Sequence, residues 1–121
     1  MEEDHKKSGK KVLEERKRAF EAKYQQDEEI KFKTRNRANR LVGLWVAEKI
    51  GLDEAKAATY AKLMVETGFA DPEGAGVVAK ALGDLAAHGQ KMDEHALKRE
   101  MERLNAVARE QIITEFLGEN A

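Results

Sequence analysis

Apolar residues are sparse in the first third of the chain and dense immediately after it. Between Leu13 and Leu52 there is almost no glycine, and the stretch begins charged and weakly apolar. It then becomes nearly solid apolar at Leu41-Val42-Gly43-Leu44-Trp45-Val46-Ala47. A globular helix buries a stripe along one face, so this pattern predicts one long first helix that is docked along its second half only. Its front half stays free for another surface. There Phe20 and Tyr24 lie four residues apart on one face, with Ala19 and Lys23 beside them, a stripe too thin to hold a helix alone. Residues 1–12 are charged and contain Ser8-Gly9, which predicts a disordered tail because they offer too little apolar area to offset the entropy of ordering.

Three more helices are predicted downstream. Gly51 is placed to end the first one, and Asp53 to cap a second with the helical stripe Ala57, Tyr60, Ala61, Met64 and Val65, stopped by Gly68. Asp71-Pro72 reads as an N-cap followed by proline at the first helical position. The third helix becomes firm near Val77 and carries Val77, Val78, Ala81, Leu82 and Leu85 before His88-Gly89 closes it. Asp93 caps the last helix, with Met92 and Leu97 spaced to staple its start. Leu97, Met101, Leu104, Ala108 and Ile112 keep one face until Gly118. No window alternates as a strand would. The fold class is therefore all-α: a four-helix bundle with a long first helix and a disordered N-terminal tail. The expected divisions are a tail at 1–12, a partner-binding segment at 13–30 and a bundle domain at 31–121.

Composition narrows the function. At 121 residues with 37% charged side chains and one proline, the chain is one domain's worth of mostly helical protein. Its 22 basic and 23 acidic residues cancel, so no overall field attracts nucleic acid or an anionic membrane. The absence of cysteine excludes disulfides, thiolate metal sites and cysteine nucleophiles. The first residues lead into no apolar signal region, and no apolar run approaches the roughly 18 residues of a membrane span, so a cytoplasmic protein without membrane insertion is expected.

Few residues carry chemistry. Trp45 sits at helical spacing with Leu41 and Leu44 and reads as core. Gly74-Ala75-Gly76 lacks the preceding strand and following lysine of a phosphate loop. His88 and His95 flank a helix break without a third ligand, so no metal is expected. No carboxylate pair and no serine stands in a catalytic setting, so an enzyme has nothing to work with and neither catalysis nor a cofactor is expected. The cluster Lys31, Lys33, Arg35, Arg37 and Arg40 is the best nucleic-acid candidate, although Asp27-Glu28-Glu29 precede it. Two alternatives to partner binding therefore stay open: a small nucleic-acid-binding protein using residues 31–40, and a nucleotide-binding regulatory bundle.

The stretch from Leu13-Glu14-Glu15-Arg16-Lys17-Arg18-Ala19-Phe20 through Glu28-Glu29-Ile30-Lys31-Phe32-Lys33, followed by Asn39-Arg40-Leu41-Val42-Gly43-Leu44-Trp45, closely resembles the zeta subunit of alphaproteobacterial rotary ATP synthases. Tyr60-Ala61, Phe69, Pro72, Val77, Lys80, Asp84-Leu85, Met101 and Ala108-Arg109-Glu110-Gln111-Ile112-Ile113 extend the resemblance. It implies an inhibitory subunit, peripheral to the inner membrane, whose N-terminal helix enters the catalytic head beside the rotor. There it would lie between a catalytic and a non-catalytic subunit and block hydrolysis. On that reading Leu13, Phe20 and Tyr24 are apolar anchors, Arg16, Arg18, Glu21 and Lys23 set register, and Glu14 and Ala19 complete the partner-binding set. The chain departs from the family pattern at Gln26, often histidine, at Ala38, often arginine, and at Glu73-Gly74-Ala75-Gly76, where an acidic loop is common.

Overall fold

Where the sequence pattern predicts one long first helix, the backbone makes two. The computed structural model describes residues 2–24 and 27–119, with side chains for 9–23 and 27–119. Five α-helices occupy the described residues: α1 (Glu2–Tyr24), α2 (Glu28–Lys49), α3 (Glu54–Ala70), α4 (Ala75–Ala87) and α5 (Glu94–Glu119). The all-α class holds, but the helix count is five rather than four. The reason is Asp27, whose extended backbone (φ −68°, ψ 118°) and carboxylate, accepting from the Ile30 amide at 3.0 Å, start a new helix. Glu28 and Glu29 in its first turn suit the positive end of the helix dipole.

Helix α1 reaches back to Glu2, into the segment that composition reads as a tail. Every residue from Gly9 to Arg16 is exposed, so burial contributes little to holding this part of the helix.

Helix α2 is the centre of the fold, packing on α3 along one side and on α5 along another. Both neighbours run antiparallel to it. Gly43 faces Ala61 and Met64 while Asn39 faces Gly68, and Arg37 reaches Gln111 and Glu115. Gly43 is where α2 and α3 approach most closely, since a Cβ there would lie 2.6 Å from the Ala61 Cα. Helix α4 closes the other side of α3, with Tyr60 donating to Asp84 at 2.6 Å.

Two apolar clusters result. The main one joins Val42, Val46, Ala47, Tyr60, Met64, Val77, Ala81, Leu85, Leu97 and Leu104. A second, at the far end of α5, joins Phe20, Ile30, Ile112 and Ile113, with Phe116 and Leu117 packed against it.

The helix ends bear out Gly51 (φ 78°) just past α2, Asp53 and Asp93 as N-caps, and His88-Gly89 at the end of α4. Four expectations are corrected. Gly68 does not stop α3, which continues to Ala70; it is buried and gives Asn39 room to approach. Asp71-Pro72 does not begin α4. Asp71 is instead the C-cap of α3, and its carboxylate accepts from the amides of Glu73 and Gly76, spanning the turn to α4, whose N-cap is Gly74. Helix α5 continues past Gly118 to Glu119. Trp45 is half-buried rather than fully enclosed, packing on the main core with the Lys49 ammonium 4.9 Å from its ring centre.

Candidate partner-binding segment

The proposed site residues all fall on α1, a helix tied to the bundle near one end. Leu13, Lys17, Phe20 and Tyr24 are spaced four, three and four residues apart and so share one helix face. Leu13 is 46% exposed and its neighbour Val12 53% exposed, and Glu14, Arg16, Arg18, Ala19 and Lys23 are exposed as well. Glu21 is half-buried. The side chain of Tyr24 lies outside the described residues.

Phe20 departs from the expectation of a free anchor. It is only 6% exposed, with its ring 4.7 Å from that of Phe116 and tilted by 52°, among Ile30, Ile112 and Ile113. One turn earlier, Lys17 donates to Glu110 of α5 at 2.5 Å. That hydrogen bond holds the Lys17 amine above the ordinary lysine value, against a weaker opposing effect of burial. The sequence reading missed Lys17, Glu110 and Phe116 as a group. A signal was present: Ile112, Ile113, Phe116 and Leu117 widen the apolar stripe of α5 just where the helix should be leaving the core.

The basic cluster is largely spoken for within the chain. Lys31 pairs with Glu28 at 3.7 Å, Lys33 with Glu29 at 3.1 Å, and Arg37 reaches Glu115 at 2.9 Å and Gln111 at 2.8 Å. Arg35 and Arg40 are exposed, too few for the phosphate-tracking stripe of a nucleic-acid binder.

An open groove of about 760 Å³ lies among α2, α4 and α5, floored by Val42, Val78 and Leu82. Its charged rim sets Arg35 and Lys98 against Glu73, Glu94 and Glu102. At the start of α4, the natural place for a phosphate, the Gly76 amide already donates to the Asp71 carboxylate, as does the Glu73 amide just before the helix. His88 Nδ1 lies 2.9 Å from the Asp84 carbonyl oxygen, and among the described residues no three His, Asp or Glu side chains gather as a metal site. No helix among the described residues is long and apolar enough to cross a membrane.

No curated protein matches the chain. A sequence model of the family described as ATPase inhibitor subunit zeta matches residues 10–111. The matched span takes in the exposed part of α1, all of α2 to α4 and most of α5, and by it the chain belongs to the ATPase inhibitor subunit zeta family.

Proposed function

We propose that this protein is a non-catalytic inhibitor of a rotary ATP synthase, and that residues 13–24 of α1 are the part that enters the catalytic head. The observation that carries this reading is the exposed front of α1. Val12 and Leu13 present apolar side chains to water on a helix whose residues from Gly9 to Arg16 cover nothing in their own bundle. Such a helix gains its missing burial by lying in a groove of another protein. Leu13, Phe20 and Tyr24 form the apolar anchors, since aromatic and large apolar side chains dominate most interfaces. Arg16, Arg18, Glu21 and Lys23, with Glu14 and Ala19, flank that face and fix register. The groove is formed between a catalytic and a non-catalytic subunit next to the central rotor, where a wedged helix stops rotation in the hydrolytic direction. Helices α2 to α5 act as the anchor that holds α1, and the protein works in the cytoplasm on the face of the enzyme away from the membrane.

The test is direct. Purified protein added to its cognate ATPase lowers the hydrolysis rate in a saturable way and co-purifies with the catalytic head, and Leu13→Ser weakens both. An unchanged hydrolysis rate together with no co-purification would end the proposal.

A further inference from the structure

We propose that the free protein stores its inhibitory helix in a closed resting state, clasped by the end of α5, and that inhibition requires this clasp to open. The inference rests on the reading of α1 as the inhibitory segment and adds its regulation.

The geometry of one helix face leads there. Leu13, Lys17, Phe20 and Tyr24 lie along a single stripe, and two of the four are already engaged internally. Phe20 is buried against Phe116, Ile112 and Ile113 of α5 and Ile30 of α2, and Lys17 is paired with Glu110. A helix face cannot pack against α5 and line a groove in another protein at the same time. The two docking modes compete for Phe20.

The clasp is small enough to open without unfolding the bundle. Among the described residues it centres on the Phe20 seat and the Lys17–Glu110 ion pair, whose side chains are 18% and 55% exposed, while the main core of α2 to α5 does not include α1. Local openings of such weakly buried segments cost less than global unfolding. When only a fraction of molecules is open, the apparent dissociation constant for the target is the intrinsic one divided by that fraction. Loosening the clasp from the α5 side should therefore strengthen inhibition, the opposite of what damage to an inhibitor usually does. Two of the clasp residues, Glu110 and Phe116, lie on α5 outside the segment that enters the target, so they can be altered without removing an anchor.

The experiment compares the full-length wild type with Glu110→Lys, Phe116→Ala and the charge swap Lys17→Glu with Glu110→Lys. Glu110 is exposed, so its reversal leaves the bundle folded and sets two ammonium groups against each other. Two readouts are taken: amide hydrogen exchange across residues 12–23 of the free protein, and the concentration giving half-inhibition of the cognate ATPase. Glu110→Lys and Phe116→Ala should each speed exchange in 12–23 and lower the half-inhibitory concentration by about three- to tenfold. The charge swap rebuilds the ion pair and should return exchange in 12–23 toward the wild type. Exchange that does not respond to either single variant overturns the clasp, whatever the ATPase shows. Faster exchange with unchanged or weaker inhibition overturns its regulatory role. A wild type that does not inhibit at all is a different failure, because it removes the proposed function beneath, while the exchange measurement still reports on the clasp itself.

Discussion

Gly43→Ala places one methyl group at the tightest point of the fold. The added carbon would sit 2.6 Å from the Ala61 Cα, 3.1 Å from the Met64 Cβ and 3.2 Å from the Ala61 Cβ. Carbon atoms rest at about 3.5–4.0 Å, so α2 and α3 must separate by roughly 1 Å, and the nearest obstacle is backbone that no rotamer change can move. Overpacking costs about 1–3 kcal/mol, and an immovable backbone obstacle puts this site in the upper part of that range, about 2–3 kcal/mol. Replacing glycine inside a helix returns up to about 1 kcal/mol of propensity, which leaves a net loss of about 1–2 kcal/mol. For a domain of this size that lowers Tm by roughly 4–10 °C. Gly83→Ala is the matched control: also inside a helix, but with nothing within 4 Å of the new Cβ, so only the propensity gain remains. It should raise stability by about 0.5–1 kcal/mol. Thermal melting and urea titration of both variants, with the slope m checked for constancy, separate the two effects. A Gly43→Ala protein that melts at or above the wild type would refute the close approach of α2 and α3.

Other consequences are equally open to measurement. Burial pushes the Asp84 carboxyl up, but hydrogen bonds from Tyr60 and Lys80 outweigh it and hold the group below the ordinary carboxylate value. A carboxyl lowered in the folded state contributes stability above the ordinary value and loses it as pH falls through the lowered one. Asp84→Asn should therefore cost about 1 kcal/mol at neutral pH, discounted for a side chain 34% exposed, and flatten the acid limb of a stability-versus-pH curve. An acid limb identical to the wild type would contradict it. Trp45→Ala should cost about 1.5–3 kcal/mol in a urea titration, the scale for a large apolar side chain leaving partial burial; a loss below 0.5 kcal/mol, roughly, would place the ring on the surface. Leu13→Ser should leave Tm within about 2 °C, because surface changes seldom exceed about 0.5 kcal/mol, yet raise the half-inhibitory concentration. A large Tm drop would mean that Leu13 is docked.

The helical class and four of the helix ends were legible because each rests on local chemistry: Asp53 and Asp93 cap, Gly51 and Gly89 close, and the stripes of α3, α4 and α5 repeat every three to four residues. Asp27 was equally local but was read as an interior position of one long helix, because the residues on both sides of it form helix well. Phe20 was misjudged for a different reason. Seen along its own helix, it belongs to a stripe too thin to be core. Its burial depends on Phe116, which periodicity alone cannot pair with it across so long a separation. Asp71 shows the same limit at short range, since Asp-Pro fits a helix start by rule but serves here as a joint between two helices.

The Lys17–Glu110 bond closes a loop of 93 residues. Chains emerge from the ribosome N-terminus first and at a limited rate, and α2 with α3 can pair as an antiparallel hairpin of neighbours before α5 exists. During that interval Phe20 has been synthesised but its cover has not. A nascent or truncated molecule would thus be competent before it is restrained, and a protease cutting after Arg109 would recreate that early state in a mature protein by removing Ile112, Ile113 and Phe116. Age of the molecule, as well as its concentration, would then set how strongly it inhibits, and comparing residues 1–109 with the intact chain in the ATPase assay would reveal it.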